Sequence, residues 1–223
     1  MLSELESYSV DWSNLNKAHL QNSEFLEALT ANKEAMAVLV GRVQTEPDLW
    51  DLSEHNRLFD KLVLHDAPDR NFRLRLHIWA DIEVATPHDH RWSFTTLLLR
   101  GGYQHTLYDL TDSHGNSVPP DAALDANDQP KFVERFSSTL RGGDSYTIHH
   151  TLVHSTLTRS RTVSLVVRGP AEKSRARTTD PMTGAIQFGF GRQDQTVEDV
   201  AKSRLSTDRY EEIREQLRNH SII

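Results

Sequence analysis

Pro87-His88-Asp89-His90 stands at the head of the apolar run Trp92-Ser93-Phe94-Thr95-Thr96-Leu97-Leu98-Leu99, and Gly143-Asp144-Ser145-Tyr146-Thr147-Ile148-His149-His150-Thr151-Leu152-Val153-His154 follows further along the chain. In extended backbone, side chains two apart share a face, with Cα atoms about 6.6–6.8 Å apart. The imidazoles of His88 and His90 can therefore converge on one ion, with bonds near ~2.1 Å, while Asp89 must point to the opposite face. The second stretch reads as a Gly-Asp turn, a strand, another turn, and a strand that opens with His154. Histidine is the commonest metal ligand. Eight of the twelve (His77, His88, His90, His105, His114, His149, His150 and His154) fall in this one region.

Outward from these stretches, the hydrophobic period is two. Phe72-Arg73-Leu74-Arg75-Leu76-His77-Ile78-Trp79 alternates throughout, which predicts a strand with Phe72, Leu74, Leu76 and Ile78 on one face and Arg73, Arg75, His77 and Trp79 on the other. Residues 61–65 are short and apolar, and 67–70 form a turn. Further strands are predicted at 91–100, 103–110, 132–140, 145–149, 153–157, 162–168 and 186–190, with Gly101-Gly102 and Gly142-Gly143 at turns. Many short strands so spaced indicate a sandwich or barrel. Residues 111–130 are rich in Asp, Asn, Ser and Pro and read as a long loop or lid; 171–183 read as a second polar loop.

The ends are different. Leu20, Phe25, Leu26, Leu29, Met36, Leu39 and Val40 recur at three- and four-residue steps, so residues 1–45 read as helical, with Ser23 as a cap for 23–43. Residues 51–60 suggest another short helix, and 198–219 a C-terminal helix. The expected organisation is an N-terminal helical extension over 1–58, a β-barrel over 59–192 and a helix packed on it over 193–223.

The formal net charge of -7 argues against a nucleic-acid or anionic-membrane partner, which needs a basic field. The absence of cysteine excludes disulfides, thiolate metal sites and cysteine nucleophiles. With no signal-like start and no long apolar run, a cytoplasmic location is expected.

The two histidine stretches together resemble the cupin superfamily. Its first motif is a glycine, His-x-His, three or four residues, a glutamate, six residues and a glycine, the leading glycine being missing here; its second is a glycine, five residues, a proline, one residue, a glycine, two residues and a histidine. His88, His90 and Gly101 or Gly102 stand at the first spacing, and Gly143 and His154 at the second. The resemblance covers about residues 83–158 and implies a mainly β, cupin-type jelly-roll barrel. The glutamate position falls on Phe94 or Thr95, and the proline and second glycine on His149 and Thr151. The implied site is thus three histidines, His88, His90 and His154, without a carboxylate. That variant resembles the thiol dioxygenases, the cysteine dioxygenase group, and implies Fe(II), with Ni(II) or Mn(II) compatible. Three neutral ligands leave the ion's +2 charge intact, which favours anionic co-ligands. The group's Ser-x-His-x-Tyr stretch would fall on Val167-Arg168-Gly169-Pro170-Ala171, and its crosslinking cysteine is absent.

Around the metal, His149 or His150 is a candidate for acid–base or outer-shell work, or else a polar turn. His105 and Tyr103 are candidate pocket or outer-shell groups. Arg73, Arg75 and Arg168 are candidate anchors for a substrate carboxylate, or else residues of a solvated outer face. Trp92 and Phe94 would wall the pocket. Glu83 and Glu134 are the remaining chances for an acidic ligand. The expected function is a non-haem metal-dependent oxygenase for a small polar substrate, an amino acid or thiol, with O2 as co-substrate and a homodimer as the assembly to test. The alternatives are a metal- or ligand-binding cupin without turnover, or a cupin isomerase.

Overall fold

A computed structural model describes residues 2–81, 85–119, 130–159, 161–180, 182, 185–191 and 194–223. Its centre is the strand β3 (Phe72–Trp79). Phe72, Leu74, Leu76 and Ile78 are all at most 3% exposed, and they pack into one core with Leu26, Leu29, Met36, Leu39, Val40, Ile213 and Leu217. The apolar face of β3 is therefore the outer face of its sheet, covered by helices. The polar face looks inward, where Trp79 meets Tyr103 with ring centroids 6.2 Å apart and Arg75 lies over Trp92.

The helices are α1 (Leu2–Ser7), α2 (Leu15–Ala31), α3 (Lys33–Thr45) and α4 (Pro47–Leu52) before the sheets, and α5 (Val197–Lys202) and α6 (Thr207–Asn219) after them. Each fully buried Leu, Val or Ile in this cover contributes roughly 1.5–3 kcal/mol. The three stretches expected from sequence thus share one core. Asn14 and Asn32, not Ser23, cap α2 and α3, accepting from the backbone N–H of Lys17 and Ala35. Ser23 sits inside α2 with its hydroxyl 3.0 Å from that of Ser145, and Leu20 is solvent-exposed. The helix expected over 51–60 gives way to α4, begun by Pro47, and then to strands. The C-terminal helix is two helices: Thr196 and Ser206 each cap a separate start.

The strands are β1 (Glu54–His55), β2 (Phe59–Ala67), β3, β4 (Phe94–Arg100), β5 (Gly102–Thr111), β6 (Lys131–Arg141), β7 (Ser145–Ile148), β8 (Val153–Thr158), β9 (Val163–Arg168), β10 (Arg175–Thr179) and β11 (Ile186–Phe190). The antiparallel orders are β1-β2-β3-β9-β4-β7, β6-β5-β8 and the pair β10-β11. His88 forms backbone bridges to His154 in β8 and to Thr178 in β10, which adds a short segment beside β8. Counted from β3 and including that segment, eight strands lie in the orders 1-8-3-6 and 2-7-4-5, the order of a double-sheet jelly roll. Gly101 joins the sheets at φ +74°, where a Cβ would meet Thr162 Cα at 2.8 Å; only glycine fits there.

Two strand expectations need correction. The strand expected from residue 91 begins only at Phe94, because Arg91 and Trp92 form a bend. The polar loop expected over 171–183 contains β10, whose Arg-Ala-Arg-Thr-Thr sequence has no apolar alternation to announce it. Of the loop expected over 111–130, residues 120–129 lie outside the described residues. No helix of the described residues is long and apolar enough to cross a membrane.

Candidate metal centre

The segment carrying His88 and His90 is stitched directly to β8. The N–H of His88 donates to the carbonyl of His154 and the N–H of His154 to that of His88, both at 2.8 Å. That register brings three imidazoles together. One ring nitrogen from each of His88, His90 and His154 lies within 4.8 Å of the others, and Nε2 of His90 is 2.8 Å from Nε2 of His154. Two donors each about 2.1 Å from a common ion lie roughly 3.0 Å apart when they subtend a right angle, so the observed separation fits adjacent positions around one first-row ion.

The outer partners suit that use. His88 Nδ1 is 2.8 Å from the carbonyl of Thr86; a carbonyl only accepts, so the proton sits on Nδ1 and Nε2 is bare. His154 Nδ1 is 2.9 Å from Nε2 of His105, itself 6% exposed in β5. A proton donated from His154 to His105 leaves His154 Nε2 bare toward the centre. Burial holds all three imidazoles below the ordinary histidine range, His90 and His154 well below it, and brings His105 down to about 4. Neutral imidazole is the form that binds metal.

No carboxylate of the described residues joins this group. Phe94, one of the two residues at the motif's glutamate position, puts its ring 4.8 Å from that of His90. Thr95 points to the helices, accepting from Asn22 Nδ2 at 2.8 Å. Glu134 is exposed on β6, and Glu83 lies outside the described residues. The donor set is three imidazoles, a set that could hold one divalent first-row ion.

The three arginines part company. Arg73 makes a two-pronged pair with Asp66, at 2.9 and 2.6 Å, because register places Asp66 opposite it. Arg75 faces Val63 and Val166 across the strands. It is 7% exposed, and its Nε has no hydrogen-bond partner. Its guanidinium lies 4.9 Å from the Trp92 ring, and that of Arg168 5.1 Å from the same ring. Arg168 donates from NH1 to the carbonyl of Gly169, and its Nε is also unpartnered. Burial, then the like charge of Arg168, pulls Arg75 well below the usual arginine range; burial brings Arg168 to about 10. The Trp92 ring is also 6.2 Å from that of His90, so it bridges the paired cations and the imidazoles.

Tyr103 is buried and donates to the Tyr146 hydroxyl at 2.6 Å. The Tyr146 ring in turn packs 4.5 Å from His105. His149 and His150 do not look onto the three imidazoles. They group instead with Glu172, since the turn before β8 carries them to the loop after β9.

Sequence reasoning missed what stands behind the motif. Asp89 is 2% exposed. It accepts from Arg177 N at 2.7 Å, Arg177 Nε at 2.8 Å and Lys173 Nζ at 2.7 Å, which fastens the histidine segment to β10. A carboxylate between two converging histidines must be buried, and a buried carboxylate needs cations; the basic run Lys173-Ser174-Arg175-Ala176-Arg177 was the available signal.

No protein-family model matches the sequence, and no curated protein does. Among solved structures, the chain is similar to an RmlC-like cupin from Shewanella frigidimarina (12% identity, 54% of this chain and 85% of that one, TM-score 0.34). It is also similar to KdgF from Halomonas sp. (12%, 53% and 88%, 0.34) and to ectoine synthase from P. lautus (11%, 57% and 75%, 0.36). On its own strand order the β portion of this chain is a double-sheet jelly roll, with the His-x-His segment paired to β8 at His154.

Proposed function

We propose that this chain is a metal-dependent cupin enzyme, an oxygenase for a small carboxylate-bearing substrate such as an amino acid or a sulfur-containing relative. Arg75 carries the reading. It is buried, its Nε has no hydrogen-bond partner, and no carboxylate of the described residues pairs with it as Asp66 pairs with Arg73; burying such a charge is unfavourable in the free protein, and an anion placed against it reduces that penalty. Arg168, with its guanidinium 5.1 Å from the same Trp92 ring, offers a second positive group, and a planar fork suits a carboxylate.

His88, His90 and His154 would hold the ion, which supplies full +2 charge and open positions where substrate and O2 meet. His105 and the Thr86 carbonyl fix the tautomers of two ligands. Trp92 and Phe94 exclude water from the imidazoles. The Tyr103–Tyr146 hydroxyl pair, held protonated by burial, keeps hydrogen-bonding groups near His105 without adding charge.

The test is oxygen uptake by Fe(II)-loaded protein across a panel of amino acids and small thiols. The reading expects uptake with at least one, lost in His154→Ala, and a KM raised strongly in Arg75→Leu. Ligand binding without oxygen uptake, in protein that keeps its metal, would make the chain a binding module instead.

A further inference from the structure

The turn between β7 and β8 and the loop after β9 meet at a second cluster that the three-imidazole site does not use. His149 and His150 have ring centroids 4.1 Å apart. His150 Nδ1 is 3.0 Å from Glu172 Oε1. Each of His149, His150 and Glu172 offers a ligand atom, all within 4.8 Å of one another.

We propose that His149, His150 and Glu172 form a second divalent-cation site, separate from the three-histidine centre. Two imidazoles and one carboxylate are a mixed borderline and hard donor set, suited to Zn(II), Co(II) or Ni(II). The 3.0 Å between His150 Nδ1 and Glu172 Oε1 equals the roughly 3.0 Å expected for two donors at right angles around an ion about 2.1 Å from each. Thr151 holds His149 Nδ1 through its hydroxyl at 2.7 Å and its backbone N–H at 3.4 Å, and so fixes the orientation of the ring. Ser93 donates to Glu172 Oε1 at 2.9 Å and orients the carboxylate. The donors are half-buried or exposed, so an ion can enter from solvent.

The position gives the site a purpose. His150 N donates to Ser93 Oγ at 3.2 Å, Gly169 N to the Ser93 carbonyl at 2.8 Å, and Glu172 N to the Arg91 carbonyl at 2.7 Å. An ion here fastens three segments around the bend that presents Trp92 to Arg75 and Arg168. The proposal does not depend on the enzyme reading, because it concerns a different donor set.

The experiment is a Co(II) titration of chelator-stripped full-length protein, followed by equilibrium dialysis and the visible absorption of bound Co(II). Wild type should bind two ions per chain. His150→Ala and Glu172→Gln should each lose one, with affinity for it weakened at least about 10²-fold, and keep the other. Ser93→Ala should weaken that ion about 10-fold. His88→Ala/His154→Ala should lose the complementary ion and keep this one. Glu172→Gln is isosteric and exposed, so it keeps the test valid if His150→Ala misfolds. An ion count unchanged from wild type in both His150→Ala and Glu172→Gln, whether wild type binds one ion or two, overturns the proposal.

Discussion

The two faces of β3 are separated by one residue of register, yet they serve opposite ends. Leu74 and Leu76 look outward into the helical cover and are fully buried among Leu, Val and Met side chains. Arg75 and His77 look inward, where Arg75 Nε and His77 Nε2 have no hydrogen-bond partner. The outer face holds the fold together; the inner face keeps polar groups dry at a cost in stability. In this jelly roll the three imidazoles and Arg75 lie between the sheets, and the main hydrophobic core lies outside that space.

The largest expected effect tests the outer face. Leu74→Ala removes a fully buried side chain and should destabilise by about 2–5 kcal/mol, read as the shift in urea midpoint, while the affinity of the folded protein for metal is unchanged. Arg75→Leu, the neighbouring residue on the inner face, should do the reverse. Replacing a buried charge whose Nε has no hydrogen-bond partner by an apolar side chain should cost little or nothing in stability, whereas loss of the anchor should weaken substrate binding by about 2–5 kcal/mol. If Arg75→Leu unfolds the protein and Leu74→Ala does not, the faces have been assigned the wrong way round.

Smaller effects sharpen the contrast. His105→Ala should keep the fold and reduce metal affinity about 10–100-fold, the usual scale for a ligand's outer partner, as measured by chelator competition. A pH effect follows from His77, whose folded-state pKa is held well below the ordinary value by burial first and by Arg75 and Lys61 next. A lowered folded pKa means that the unfolded chain takes up the proton first. Stability is therefore complete above about pH 6.5 and lost as pH falls below it, by up to about 1.4 kcal/mol per pH unit for this group. His77→Phe should flatten that slope in metal-free protein; an unchanged slope would remove His77 from the account. Smallest of all, Glu134→Gln should leave metal content as it is.

What was legible in the sequence follows the same division. Alternation in 72–79 gives β3 almost to the residue, and motif spacing leads to His88, His90 and His154, because period and spacing are local properties. Whether Arg73 or Arg75 is free was not legible: both lie on one face, and only the hairpin register sets Asp66 opposite Arg73 and Val63 opposite Arg75. The partners of Asp89 and of His150 come from β10 and from the loop after β9, far along the chain, and no local pattern announces them. β10 escaped because it is a strand held by hydrogen bonds and ion pairs, with little apolar alternation. The helix starts at Asn14 and Asn32 escaped because the capping signal was read at Ser23, inside a longer helix.

The central claim is that His88, His90 and His154 together hold an ion between the sheets. Metal content of chelator-stripped, Fe(II)-reconstituted protein measures it directly, comparing wild type with His88→Ala/His154→Ala after passage over a desalting column. The account predicts that the double variant, folded by circular dichroism, carries one ion per chain fewer than wild type. Equal metal in the two proteins would contradict it.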